Sequence, residues 1–201
     1  MDISAELVKK LREKTGVGLM DCKEALKQSN GDMEKAVDYL REKGLAKLQK
    51  RSGRAASEGV IGSYIHTGAK VGTLVEVNCE TDFVANTKEF QEFARDIAMQ
   101  ITAANPSYVR REEIPAEAIE REKAIYKKQA LDSGKPEKII DKIAEGKLEK
   151  FYGEVCLMEQ SFIKNSDITV KELLEELVIK LGENVIIRRF SRYQLGETLE
   201  E

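Results

Sequence analysis

Residues 59–86 read GVIGSYIHTGAKVGTLVEVNCETDFVAN. Two runs rich in β-branched residues flank HTGAK (66–70). With Gly68 at the turn, that spacing predicts a β-hairpin. At its far end VGTLVEV stops, and KEFQEFARDIAMQI (88–101) begins a helix pattern. Between the two lies NCETDFVAN (78–86), where the acid Asp82 stands beside the bulky ring of Phe83. An apolar residue just beyond a strand is usually core. The corner is therefore either buried or presented to something outside the chain.

Working outward, Asn86 and Glu89 are spaced as a capping box for a helix with Phe90, Phe93, Ala94, Ile97 and Ile101 on one stripe. A third strand is expected in NVIIRRFSRY (184–193), where Ile186 and Phe190 alternate with Arg188 and Arg192. One hairpin and a late strand make a small antiparallel sheet, covered on one face and partly solvated on the other. Thr169 and Glu172 form a second capping box, TVKE. It opens a helix that turns Leu173, Leu174, Leu177, Val178 and Leu181 inward and closes at Gly182. Residues 116–152 are charged and nearly all good helix formers, broken only by SGKP (133–136), with Pro136 suited to a first helical position. They read as a helical hairpin in which Ile119, Ile125 and Tyr126 face Ile140, Ile143 and Leu148.

The first 44 residues read as three short amphipathic helices around a small core. Ser4 can cap the first, with Leu7, Val8 and Leu11 on one face. TGVG (15–18) ends it, and Leu19, Cys22 and Leu26 recur at helical spacing. After SNGD (29–32), Asp32 can cap a third helix carrying Met33, Ala36, Val37 and Leu40, with Gly44 suited to a C′ position. Residues 45–54 lose the apolar stripe and gain Lys47, Lys50, Arg51 and Arg54, as in a helix tail running into a linker. The fold class is α+β: a helical module at 1–44, a linker at 45–54 and a core domain at 55–201.

Composition narrows the chemistry. Among 201 residues, 33 basic and 36 acidic side chains leave a net charge of −3, so no field of one sign marks nucleic acid or membrane as partner. No apolar run approaches the roughly 20 residues of a membrane span. MDISAELVKK lacks the pattern of a signal or transit peptide. Cys22, Cys79 and Cys156 are few and far apart, which fits a reducing cytoplasm better than a disulfide framework. With His66 the sole histidine, zinc sites and catalytic triads are not expected. GAKVGT (68–73) has the wrong spacing for a phosphate loop and sits in a hairpin, and no other nucleotide or hydrolase motif occurs. No catalytic residue, metal ligand or cofactor site is expected, and a protein-binding module leads.

The chain resembles the elongation factor Ts family, the guanine-nucleotide exchange factors of elongation factor Tu. The resemblance is nearly end to end: LVKKLREKTGVGLMDCKEAL and NGDMEKAVDYLREKG, then EGVIGSY and VEVNCETDFVAN, then KQALDSGKP, IAEGKLEKFYGEVCLMEQSFI and GENVIIRRF. It implies a ubiquitin-associated-like three-helix module followed by a core with a three-stranded antiparallel sheet, packed helices and a helical hairpin. It implies that the TDFV turn (Thr81, Asp82, Phe83 and Val84) enters the nucleotide domain of GDP-bound elongation factor Tu and disturbs the Mg²⁺ site. The module would dock on the same domain through Arg12, Leu19 and Met20, with Leu19 standing where relatives often have methionine. His66 matches a position near a second contact region. Longer members duplicate the core. This chain holds one EGVIGSY hairpin, like the short form, so a homodimer would supply the missing half. The setting implied is the bacterial cytoplasm. Two other classes remain: an adaptor acting through the N-terminal module alone, and a nucleic-acid binder acting through the basic linker, although that run lacks interleaved aromatics.

Overall fold

A computed structural model describes residues 3–51 and 53–198, apart from the side chains of 45 and 47–49. In chain order the elements are α1 (Ala5–Thr15), α2 (Leu19–Gln28), α3 (Met33–Arg51), β1 (Glu58–Ile65), β2 (Val71–Cys79), α4 (Asp82–Ala85), α5 (Lys88–Ala104), α6 (Ala116–Asp132), α7 (Glu137–Val155), β3 (Ser161–Phe162), β4 (Asn165–Thr169), α8 (Val170–Leu181) and β5 (Ile186–Gln194). The α+β class holds: β1, β2 and β5 form a three-stranded antiparallel sheet with β2 in the centre. β3 and β4 form a separate two-stranded antiparallel sheet, which the sequence reading did not foresee. The chain divides into two compact units: 1–59 with 78–90 and 174–186, and 60–77 with 91–173 and 187–201.

In the first unit, α1 to α3 enclose Val8, Leu11, Cys22, Ala25, Leu26, Ala36 and Leu40. Ser4 caps α1 by accepting from the Leu7 amide, and Gly16 ends it at φ 68°, donating to the Arg12 carbonyl. The turn before α3 needs Asn30 at φ 52° and Gly31 at φ 84°. Asp32 then caps α3 by accepting from the amides of Glu34 and Lys35 at 3.0 and 3.1 Å. Gly44 is not a C′ residue, for α3 continues unbroken to Arg51. A Cβ at Gly44 would lie 2.6 Å from Ile179 Cδ1 on α8. The glycine therefore serves close helix packing rather than termination.

The second unit is built on the inner face of the sheet. Thr73, Val75 and Val77 are buried along β2, as are Phe93, Ala94, Ile97, Ala98 and Ile101 along α5. A Cβ at Gly62 would stand 2.8 Å from the Ala94 carbonyl oxygen, so only glycine lets β1 lie this close to α5. Buried polar groups are paired: Thr102 Oγ1 donates to the Ala98 carbonyl and lies 2.9 Å from Thr73 Oγ1. Gln100 Nε2 donates to Gln160 Oε1 and to the Ser161 carbonyl, while Gln100 Oε1 accepts from the Ile163 amide. The expected hairpin of α6 and α7 is present, burying Ala130, Ile140 and Ala144, with Lys127–Asp141 paired at 2.7 Å. Ile125 does not join that seam and stays exposed. Arg111 grips Glu149 and Glu159 with 2.8–3.0 Å bonds and lies over the Tyr152 ring, and these carboxylates push its guanidinium pKa further up.

Candidate partner-binding site

The corner at 78–86 belongs wholly to the first unit. At the end of β2 the chain is pinned inward: Cys79 is fully buried, and its thiol donates to the Thr81 carbonyl at 3.1 Å. Burial, then the charge of Glu183, raises the pKa of that thiol. The Asn78 side chain donates to the Glu58 carbonyl. Thr81 then adopts extended backbone and caps the single turn of α4, accepting from the Val84 amide at 3.3 Å. Such a turn must send some side chains in and others out. Val84 and Ala85 go in, each 5 % exposed, while Asp82 is exposed and Phe83 is 78 % exposed. The structure thus answers the choice left open by the sequence: the corner is anchored by its neighbours and presents Phe83.

Asn86 caps the end of α4, its amide donating to the Asp82 carbonyl. The cap of α5 is Thr87, whose hydroxyl accepts from the Phe90 amide. The expected capping box of Asn86 and Glu89 is therefore corrected: one intervening helical turn moves the cap along by one residue, and Glu89 instead pairs with Lys180 at 3.5 Å.

A lone exposed aromatic ring needs no explanation in itself. Here its backbone is held. Glu183 Oε2 accepts from the amides of Glu80 and Thr81 at 3.1 and 3.0 Å, and Glu183 Oε1 accepts from the Thr81 hydroxyl at 2.6 Å. Reciprocally, Glu80 Oε1 accepts from the Asn184 amide at 2.7 Å. Asn184 Nδ2 donates to the Arg54 carbonyl, and Arg54 pairs with Glu80. Sequence reasoning missed this ring of contacts, because it joins residues about a hundred positions apart. Two of the basic linker residues are used up locally: Arg54 in that ring, and Arg51 in a bond to the Val178 carbonyl.

The other expected contact residues fall in two places. Leu19 and Met20 open α2 and are 49 % and 79 % exposed, and Arg12 is exposed on α1; all three belong to the first unit with the TDFV corner. His66 lies in the second unit, at the start of the β1–β2 loop, exposed, with Nδ1 3.2 Å from the Tyr64 hydroxyl. It edges an apolar recess of about 260 Å³ lined by Met99, Ala103 and Ile163. Among the described residues no group of three His, Cys, Asp or Glu side chains is placed to hold a metal, and no helix is long and apolar enough to cross a membrane.

The chain is thus α+β, with three N-terminal helices, a small antiparallel sheet and a TDFV turn, hydrogen-bonded to Glu183, that faces outward. The family model described as "Elongation factor TS" matches residues 5–197. "Elongation factor Ts" of Syntrophus aciditrophicus is 62 % identical over 201 residues, covering all of both chains. That of Carboxydothermus hydrogenoformans is 61 % identical over 197 residues, 98 % of this chain and 91 % of the relative. That of Caldanaerobacter subterraneus is 58 % identical over 199 residues, 99 % and 100 %. The chain belongs to the elongation factor Ts family.

Proposed function

We propose that the protein is a guanine-nucleotide exchange factor: it binds GDP-bound elongation factor Tu in the bacterial cytoplasm and promotes GDP release, allowing GTP to load. The observation that carries this reading is Phe83, an aromatic ring 78 % exposed on a turn that Glu183 holds by accepting from the Glu80 and Thr81 amides and the Thr81 hydroxyl. A nucleotide held at nanomolar strength is bound by about 12 kcal/mol, so unassisted release is slow. Mg²⁺ contributes by bridging phosphate oxygens and demands near-ideal octahedral geometry. A ring and a carboxylate pushed into its surroundings on the partner would shift its ligands and forfeit part of that binding. Thr81 and Val84 hold the turn, and Asp82 and Phe83 enter. No bond is made or broken, so no nucleophile or acid–base pair is required of this chain. By linkage, whatever this factor does to GDP affinity, GDP does to the factor's affinity.

Arg12, Leu19 and Met20 dock the module on the same partner, and His66 marks a second contact. Because α3 passes through Gly44 and packs on Ile179, truncation at 44 would cut a packed helix. A point change separates docking from exchange better. Fluorescent GDP release from elongation factor Tu, followed against factor concentration, is expected to accelerate with the parent protein. Met20→Ala is expected to raise the half-saturating concentration roughly five- to tenfold and to keep the maximal rate, as for a single interface side chain. No acceleration by the parent sinks the exchange reading; a lost maximal rate in Met20→Ala sinks the division of labour.

A homodimer is the second part of the proposal. In the second unit the outer face of the sheet exposes Ile61 and Ile65 on β1, Leu74 on β2 and Tyr193 on β5. Such a row of apolar groups is worth covering. Packing rather than a disulfide would hold the pair, since all three cysteines are free and buried. Burial raises each thiol pKa, that of Cys156 to about 11, so none is a thiolate at neutral pH. Light scattering at tens of micromolar in reductant is expected to give twice the chain mass; a monomer mass overturns the dimer.

A further inference from the structure

We propose that Glu183 is a positioning residue for nucleotide release, acting through Thr81 to fix the angle at which Phe83 is presented. This rests on the exchange reading given above and adds a residue 100 positions after the TDFV turn to its machinery.

The argument is one of directed hydrogen bonds. A strand that ends and turns at once into a helix leaves amide N–H groups without ladder or helix partners. At this corner two of them, from Glu80 and Thr81, converge on one carboxylate oxygen, Glu183 Oε2, at 3.1 and 3.0 Å. The second oxygen takes the Thr81 hydroxyl proton at 2.6 Å. That leaves the Thr81 oxygen's lone pairs for the Val84 amide, which it accepts at 3.3 Å. One carboxylate thus sets both the backbone entering α4 and the hydroxyl that caps it. Phe83 lies between Thr81 and Val84, and the turn sets the direction in which its Cα–Cβ bond leaves the backbone. Charge-assisted bonds to backbone amides are shorter and stronger than neutral ones, so a carboxylate holds such a turn more tightly than water would.

The anchor of Glu183 is itself built. Gly182 closes α8 in the left-handed region at φ 81°, which reverses the chain and aims residue 183 back at the corner. Glu80 returns the favour by accepting from the Asn184 amide, so each strand-end residue is clamped by a side chain of the other segment. Behind it α8 is fixed to α3, through the Gly44–Ile179 approach and the Arg51 bond to the Val178 carbonyl. None of these contacts involves the exposed ring. Their common product is the orientation of a turn whose aromatic ring is left exposed in the free protein.

The test compares Glu183→Ala, Glu183→Asp, Glu183→Gln and Phe83→Ala with the parent. Each is assayed for fluorescent GDP release from elongation factor Tu over a range of factor concentrations, and for thermal unfolding of the free protein. Glu183→Ala removes both acceptor oxygens, and with them all three hydrogen bonds, and is expected to lower the maximal release rate at least tenfold. Its half-saturating concentration should stay within threefold, because Arg12, Leu19 and Met20 still dock. Glu183→Gln keeps one oxygen for the two amides and is expected to recover most of the rate. A merely structural side chain would lower the folded fraction and leave the maximal rate per folded molecule unchanged. If Glu183→Ala does not unfold cooperatively, Glu183→Asp carries the test: one methylene shorter, it cannot reach all three donors and is expected to fall below Gln. A parent rate in the Ala or Asp variant, with Phe83→Ala inactive, overturns the positioning role and leaves the exchange reading intact. Failure of the parent to accelerate release overturns both.

Discussion

Phe83→Ala is expected to leave the melting of the free protein nearly unchanged and to lower GDP release from elongation factor Tu at least about thirtyfold. The first half follows from exposure: with 78 % of the residue already in water, truncation takes away little packing and creates no cavity. The backbone of the turn survives, since Thr81, Glu183 and the buried Val84 and Ala85 hold it without the ring. The second half follows from what an aromatic anchor contributes once it enters a partner's pocket, about 2 kcal/mol or more. Asp82→Ala should act in the same direction and more weakly, because a solvated carboxylate gains less from the complex than a buried ring. Unfolding of the free variant and the rate of fluorescent GDP release are the paired measurements. A large fall in melting temperature with full exchange in the folded fraction would make the corner merely structural.

Phe90→Ala should do the reverse. Seven residues on from Phe83, this ring is fully buried, and its amide is tied to the cap of α5. Truncating a buried phenylalanine costs about 3–5 kcal/mol, from lost burial and the cavity left behind. For a chain of this size each kcal/mol lowers the melting point by roughly 2–4 °C, so a fall of roughly 10 °C is expected. Exchange per folded molecule, measured well below that melting point, should stay near the parent value. Two phenylalanines in one short segment would then separate contact energy from folding energy. An unchanged melting point for Phe90→Ala would mean that the site collapses around the void and that α5 tolerates a smaller residue there.

Both rings stand in stretches that the sequence made legible to different degrees. The stripe of Phe90, Phe93, Ala94, Ile97 and Ile101 announces α5 because burial on one face imposes helical periodicity. The caps at Ser4, Asp32 and the Thr169–Glu172 box could be read from local spacing, and each makes the bonds that spacing requires. Position 44 misled, since a glycine after an apolar stripe has two physical uses, ending a helix or admitting a neighbour, and only the presence of Ile179 decides between them. The cap of α5 shifted from Asn86 to Thr87 because a four-residue helical turn is too short to leave a periodic signal. The β3–β4 pair was hidden for a like reason: β3 has only two residues, and along the five of β4 burial does not alternate. At the candidate site, Phe83 itself was conspicuous, whereas Glu183 was not. A carboxylate after a helix-closing glycine looks like any surface acid until the fold brings it onto Glu80 and Thr81.

For the docking proposed above, the continuity of α3 bears on how a contact at Met20 and one at Phe83 would combine. Had the chain ended its helix at Gly44 and run on as a flexible tether, Met20 and Phe83 would have searched for their targets nearly independently. The second would have had an effective concentration diluted over the volume a ten-residue coil sweeps. Seven further helical residues at about 1.5 Å each make instead a stiff segment of about 10 Å, seated on α8. A partner engaged at one end of this unit meets the other at a set distance. Most of the entropy of that second encounter has already been spent in folding the chain.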